Sequence, residues 1–232
     1  MRLDDPAVVR EEYADEIRLA ARKKAHASAE GPDARDVVFE ALAEVGPRQI
    51  LDAGCGEGEL AERIARELHA AVVAIDQSER MVELTQARGV EAHVGDVQDL
   101  GFADGSFDCA VAAWVLFHVA DLDRALAELA RVLRPGGRLV AATNGPDQVR
   151  ELYDLVGRKP PAMTFNSENG AEALRRHFSR VERLDVHGWL VFPDRAAAHA
   201  YVDSMVVLSG TVPPVEGPIR ARRTPCVFVA DK

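Results

Sequence analysis

The segment Ile50-Leu51-Asp52-Ala53-Gly54-Cys55-Gly56-Glu57-Gly58 runs an apolar stretch directly into three glycines at alternate positions. Without Cβ atoms such a loop can turn tightly and bring backbone close to a ligand. The spacing departs from the dinucleotide pattern G-x-G-x-x-G, whose third glycine would fall where this chain has Glu59. Asp52 before the loop and Glu57 inside it set negative charge where a pyrophosphate would rest, and like charges repel. The same acids suit a cation such as a sulfonium bearing an ammonium group. The ligand expected is a nucleoside without phosphate, which argues against a nicotinamide-dependent oxidoreductase.

Two further acids fall at comparable places. Asp76 closes Val73-Ala74-Ile75-Asp76-Gln77-Ser78, about 20 residues past the loop, where an acid can accept both ribose hydroxyl protons. It could instead serve as a helix N-terminal acid, although Ser78 is the better-placed cap. Asp96, in Val94-Gly95-Asp96-Val97, could accept from an adenine amino group, with the Val97 amide facing a ring nitrogen. Taken alone it would pass for a turn residue.

These residues act together only if strand ends bring them to one edge. Apolar runs recur at 49–53, 72–76, 92–94, 107–113 and 138–143, separated by helical patterns. Leu60, Ile64 and Leu68 recur at i+4, and Leu122, Ala125, Leu126, Leu129, Val132 and Leu133 share a 3.6-period face. Runs that are apolar throughout are what buried parallel strands require. The fold expected is α/β, a Rossmann-like doubly wound sheet that binds ligands at the carboxyl edge of its strands. Arg134-Pro135-Gly136-Gly137 reads as a helix stop and turn.

Upstream, Val9, Tyr13, Ile17 and Ala21 mark an amphipathic helix, broken at Gly31-Pro32-Asp33 and followed by a second over 34–45. Downstream, the pattern predicts helices over 147–156, 171–178 and 194–207, one strand over 181–192, a Pro/Gly-rich loop over 212–218 and a last strand over 224–230. The N-terminal helices with 145–165 and 193–218 read as a lid on one core, with no independent second domain.

Asp52–Gly58, Asp76 and Asp96, the run Phe107-Asp108-Cys109-Ala110-Val111-Ala112-Ala113-Trp114-Val115-Leu116-Phe117-His118-Val119, and Arg131-Val132-Leu133-Arg134-Pro135-Gly136-Gly137-Arg138-Leu139 together resemble, over about residues 48–143, the successive motifs of class I S-adenosylmethionine-dependent methyltransferases. The subgroup most resembled is the ubiquinone/menaquinone-biosynthesis-like, small-molecule one. The resemblance implies a single methyltransferase domain over 1–232. Residues 1–46 would form a helical lid, 47–144 the cofactor-binding core, and 145–232 the substrate-side insertions and last strands. The sheet would be mostly parallel with a last antiparallel strand.

The resemblance further implies S-adenosyl-L-methionine as cofactor, S-adenosyl-L-homocysteine as product, and an O, N or C nucleophile of a small molecule as acceptor. Gly54, Gly56 and backbone near Ala53 would hold the methionine part, with the acid Asp52 alongside. Asp76 would bind ribose, Gln77 would lie beside the adenine, and Asp96 and Val97 would contact the adenine edge. Ala113 would offer backbone to the methionine amino group. Trp114 and His118 would lie near the substrate mouth. In similar enzymes the N-terminal helix folds over the cofactor, which brings Tyr13 and Arg22 into consideration.

Methyl transfer from a sulfonium is an in-line displacement that alignment alone can accelerate. A base is needed only when the acceptor must lose a proton. His118 is the candidate, since histidine titrates near neutrality; the alternative is a histidine that fixes the start of the following helix. Trp114 is a pocket wall or core packing in equal measure, and Tyr13 is a lid contact or a packing residue.

The sequence has no Asn/Asp-Pro-Pro-Tyr box after the fourth strand, and Cys109 lacks the surroundings of a cytosine-C5 nucleophile, so a small-molecule acceptor is favoured over DNA or RNA, with an RNA or protein methyltransferase as the lesser alternative. A cofactor-sensing protein without turnover is the non-enzymatic alternative. With a net charge of −10, nucleic acid is not an expected partner. The arginine groups at 175–183 and 220–223 read as solubility features. Three scattered cysteines in no metal-ligand spacing predict no metal site, and a reducing compartment. The N-terminus lacks a signal-peptide core and no apolar run is long enough to span a bilayer, so a cytoplasmic protein, monomer or homodimer, is expected.

Overall fold

The computed structural model describes residues 3–12 and 16–232. Two helices, α1 (Pro6–Glu12) and α2 (Glu16–Ala27), precede α3 (Ala34–Ala43). The core then alternates: β1 (Gln49–Ala53), α4 (Glu59–Leu68), β2 (Ala71–Asp76), α5 (Glu79–Ala87), β3 (Glu91–Val94), β4 (Phe107–Ala113), α6 (Leu122–Val132) and β5 (Leu133–Asn144). Four short side chains start helices, Ser78 among them as expected. Asp33, Ser78, Asp121 and Asp194 each accept from a backbone N–H of the first turn they precede.

After β5 come α7 (Arg150–Leu155), α8 (Gly170–Leu174), β6 (Arg180–Asp185), β7 (Gly188–Phe192), α9 (Arg195–Asp203), β8 (Ile219–Arg223) and β9 (Pro225–Asp231). Seven strands form the main sheet in the order β3-β2-β1-β4-β5-β9-β6. All pairings are parallel except those of β9, which runs antiparallel to both β5 and β6. The order reverses beside β1, which opens a crevice at the carboxyl ends of β1 and β4. Apolar side chains from the two faces of the sheet pack into separate clusters, one under α6 and α8, the other under α3, α4 and α5.

Three sequence expectations need correction here. The single strand expected over 181–192 is two strands in different sheets, because the chain leaves the main sheet after β6. Gly188 permits the change: a Cβ there would lie 2.2 Å from the Glu30 carbonyl oxygen. Glu30 and Trp189 exchange backbone hydrogen bonds of 2.8 and 2.9 Å across that approach. Second, β8 arises just past the Pro/Gly loop and pairs antiparallel with β7, where the pattern had shown only a last strand. Third, Arg134–Gly137 is no free turn. It bulges out of β5, whose register with β4 jumps from Phe107–Leu133 to Cys109–Arg138.

The β7–β8 ribbon has its own apolar cluster with α7 and α9, including Leu152, Leu190, Phe192, Val202 and Ile219. Helix α2 packs against α9 and β7. Cap residues Tyr153, Tyr201 and Arg223 share a cavity wall with Trp114 at the carboxyl edge of the main sheet. Among the described residues, no helix is long and apolar enough to cross a membrane.

Candidate active site

The loop after β1 is held by its neighbour strand. The Gly54 and Cys55 amides both donate to the Ile75 carbonyl, at 2.8 and 3.0 Å. Gly54, Gly56 and Gly58 have φ of +79°, +55° and +77°, values that L side chains rarely adopt. The three glycines do different work. A Cβ on Gly54 would press on Val115 and one on Gly58 on Thr85, whereas one on Gly56 would meet nothing within 4 Å. Gly56 therefore opens onto the space a ligand needs, and its N–H donates to Asp76 Oδ2 at 3.0 Å. Asp76 Oδ1 accepts from the Ser78 amide at 2.9 Å. One carboxylate thus joins the glycine loop to the start of α5.

A cavity of about 650 Å³ lies on this edge, lined by Asp52, Gly54, Gly56, Asp76, Gln77, Val97, Ala113, Trp114 and His118, among others. Two residues singled out in the sequence are not on its wall. Ala53 is fully buried in the core. Asp96 turns its carboxylate onto Gln98, accepting from that residue's amide at 2.8 Å and from its side chain at 3.1 Å. Glu57 does line the cavity, but Lys23 of α2 pairs with it and with Glu59. Tyr13 lies outside the described residues.

Asp52 is the acid that remains. It is 2% exposed, and no described residue hydrogen-bonds its Oδ2. Burial, reinforced by the nearby Asp76 charge, pushes its pKa up to about 7. A buried carboxylate with no donor, facing a cavity, fits a ligand that brings its own cation. Glycines clearing space and the Asp76 carboxylate on the same wall complete that fit, so these residues suit S-adenosylmethionine.

The pH dependence follows. An acid whose folded pKa lies above its unfolded value near 3.9 lets the native state hold the extra proton between about pH 4 and 7. Asp52 therefore lowers stability progressively as pH rises through that window, by on the order of 4 kcal/mol above it. A cationic ligand needs the ionised form, so affinity for S-adenosylmethionine is expected to rise about tenfold from pH 6 to pH 8. Asp52→Asn should flatten that dependence and stabilise the unliganded protein at pH 8. Titration calorimetry and thermal unfolding at the two pH values check both.

A second cavity, of about 540 Å³, adjoins the first beneath the cap. Trp114, His118, Lys23, Arg35 and Glu59 line both. Trp114, just past β4, adopts φ +57°, costly for a large side chain. Its amide donates to the Ala142 carbonyl at 2.8 Å and its Nε1 to Asn144 Oδ1 at 3.3 Å, so both neighbours on β5 hold it there. His118 ends a 3-10 turn, Leu116–His118. Its Nδ1 lies 2.9 Å from the Leu3 carbonyl, which can only accept, so that nitrogen carries the proton. Burial lowers the His118 pKa, with Arg22 adding to the shift against the Leu3 hydrogen bond.

Sequence reasoning missed Asn144 and Arg223, which line the second cavity; nothing in their local spacing signals it, because the fold brings them together from separate segments. Arg22, considered on resemblance, lies on its wall, and its Nη2 donates to the Ser204 carbonyl.

A doubly wound sheet with one antiparallel strand carries an acid-flanked glycine loop, joined to Asp76, at one edge, an arrangement that suits a nucleoside cofactor. A methyltransferase-domain family model matches residues 51–141. The O-methyltransferase rstn1 of Aspergillus nomiae is 40% identical over 164 residues, covering 64% of this chain and 72% of the relative. The malonyl-[acyl-carrier protein] O-methyltransferase of Pseudescherichia vulneris is 34% identical over 138 residues, 59% of this chain and 54% of the relative. In structure the chain is similar to a methyltransferase of Thermotoga maritima described as a possible histamine N-methyltransferase. The TM-score is 0.57 at 20% identity, covering 93% of this chain and 97% of the other. The chain belongs to the class I S-adenosylmethionine-dependent methyltransferases. It spans between 33% and 72% of the length of the curated relatives it matches.

Proposed function

We propose that this protein binds S-adenosylmethionine in the larger cavity and methylates a hydroxyl group of a small molecule held in the second. The carrying observation is the shared wall: Trp114 and His118 border both cavities, so a donor in one and an acceptor in the other meet there. The relatives named as O-methyltransferases support an oxygen acceptor. Bound in the larger cavity, the cofactor would supply an electrophilic methyl group on sulfur and leave as S-adenosylhomocysteine.

The chain's own groups prepare the site. Gly54 and Gly56 clear space, Asp52 receives the cationic end, and Asp76 is placed to accept from ribose. Gln77 and Val97 stand on the wall that would face adenine, and Ala113 at the end of β4 would offer its backbone. Trp114, fixed by β5, holds the aperture between the cavities, and α2 closes over it with Lys23 on the glycine loop. His118 stays neutral at neutral pH, and its Nδ1 proton, held on Leu3, leaves the lone pair at Nε2. That nitrogen receives the hydroxyl proton as the acceptor oxygen attacks.

In assays of hydroxyl acceptors, His118→Gln is expected to lower kcat by about 10²-fold or more while cofactor affinity stays within about twofold. With S-adenosylmethionine saturating at every pH, so that the Asp52 titration does not enter, the wild-type kcat should hold as pH falls to the ordinary histidine value and decline only below it, because the base must be neutral and its pKa is depressed. Unchanged kcat in the variant would leave the histidine only its structural role. Failure of S-adenosylhomocysteine to bind the wild-type protein in calorimetry would end the assignment itself.

A further inference from the structure

We propose that the second cavity selects acceptors that carry a carboxylate, held by Arg223 at the end away from the cofactor. This rests on the reading of that cavity as the acceptor site. The strand β8 reads Ile219-Arg220-Ala221-Arg222-Arg223, and its side chains alternate strictly between inside and outside. Arg220 and Arg222 point outward and are neutralised: Arg220 pairs with Glu30 and lies over the Trp189 ring, and Arg222 pairs with Glu151 at 2.7 Å. Arg223 takes the inward register with Ile219 and Ala221, where the cap core calls for an apolar residue.

Arg223 is only 6% exposed. Its Nε is buried without an acceptor, and the acid whose charge favours it, Asp33, is already held by Arg35. Arg223 stands opposite Gly188 in the ribbon, which has no side chain to cover it. Burying an unpaired guanidinium is costly, and a fold keeps one at such a position when something else supplies the counter-charge. A planar guanidinium on the cavity wall matches a carboxylate.

The surroundings agree. The wall of this cavity carries Arg22, Lys23, Arg35 and Arg223 against Asp33 and Glu59, in a chain whose net charge is −10. Both carboxylates are already claimed, Asp33 by Arg35 at 2.8 Å and Glu59 by Lys23 at 2.8 Å. Beside them His26 is held neutral, its pKa lowered to about 4 by burial and then by the Arg223 and Arg35 charges. The rest of the wall is largely apolar, with Phe117, Met163, Met205 and Val207. Arg223 lines this cavity but not the cofactor cavity, whereas His118 lines both. The carboxylate is therefore an anchor on the wall that only this cavity has, and the methyl-accepting hydroxyl lies at the wall the two cavities share.

The test uses the full-length protein with 4-hydroxybenzoate, 3-(4-hydroxyphenyl)propanoate and 10-hydroxydecanoate, each beside its primary amide, followed by calorimetry with and without S-adenosylhomocysteine. At least one acid is expected to bind tenfold or more tightly than its amide. Arg223→Met should abolish the preference and leave S-adenosylhomocysteine affinity unchanged, and Arg223→Lys should restore part of it. The unliganded Met variant should melt about 3 °C or more above wild type, since an uncompensated charge has gone; a merely structural arginine would give a lower melting point. Equal binding of every acid and amide, no binding of any acid, or a preference surviving in Arg223→Met overturns the proposal. Acid preference without any S-adenosylhomocysteine binding would instead overturn the methyl-transfer reading and leave the anion site standing.

Discussion

Gly54→Val is expected to weaken S-adenosylmethionine binding by at least about a hundredfold, equivalent to about 2.7 kcal/mol. Two costs combine at this position. The backbone sits at φ +79°, where a β-branched residue is a genuine outlier. The new Cβ would also lie 2.5 Å from Val115 Cγ2 and 2.7 Å from its Cβ. The first cost is about 1–3 kcal/mol and the second is of similar size. Neither is relieved cheaply. Val115 lies between Trp114 and the 3-10 turn that ends in His118, so yielding there moves the wall shared by both cavities. Yielding on the other side breaks the two hydrogen bonds from the loop to Ile75. The variant should melt below wild type yet remain folded, because the sheet core does not depend on the loop's position. Calorimetry on that folded variant decides: unchanged affinity would remove the glycine loop from the binding site.

The loop could be read from sequence because its reasons are local: three glycines, an apolar strand and flanking acids lie within nine consecutive residues. The parallel core was legible for the same reason, since apolar runs separated by 3.6-period helices describe buried strands without tertiary information. The cap was not. Residues 181–192 form one continuous strand pattern, and only the close approach of Glu30 to Gly188, far apart in the chain, shows where it divides. Arg223 shows the same limit in charge. In sequence it belongs to a basic group of three, and only the pairing of β8 with β7 shows that alternate arginines face opposite ways. Asp96 shows a local contact that the sequence did not give: after a strand, in the position of a ligand contact, it also accepts from Gln98, two residues on. Trp114 fits either wall or core in sequence, and the structure gives it both surroundings, packed against the sheet clusters and bordering both cavities.

Asp76→Ala is expected to weaken cofactor binding by at least tenfold, about 1.4 kcal/mol, and to change its pH dependence. The carboxylate holds the Gly56 amide at 3.0 Å and the Ser78 amide at 2.9 Å, so its loss frees the loop from α5 as well as removing the proposed ribose acceptor. Asp76→Asn keeps one acceptor oxygen and should lose less, which separates loop positioning from ribose contact. The second effect is electrostatic. The Asp76 charge is one of the two causes that raise the Asp52 pKa, after burial. Removing it lets Asp52 ionise at lower pH, so the rise in S-adenosylmethionine affinity with pH should move toward acid in both variants. Weaker binding with an unmoved pH dependence would mean that the titration belongs to another group. A shifted dependence with undiminished affinity would mean that ribose is held elsewhere.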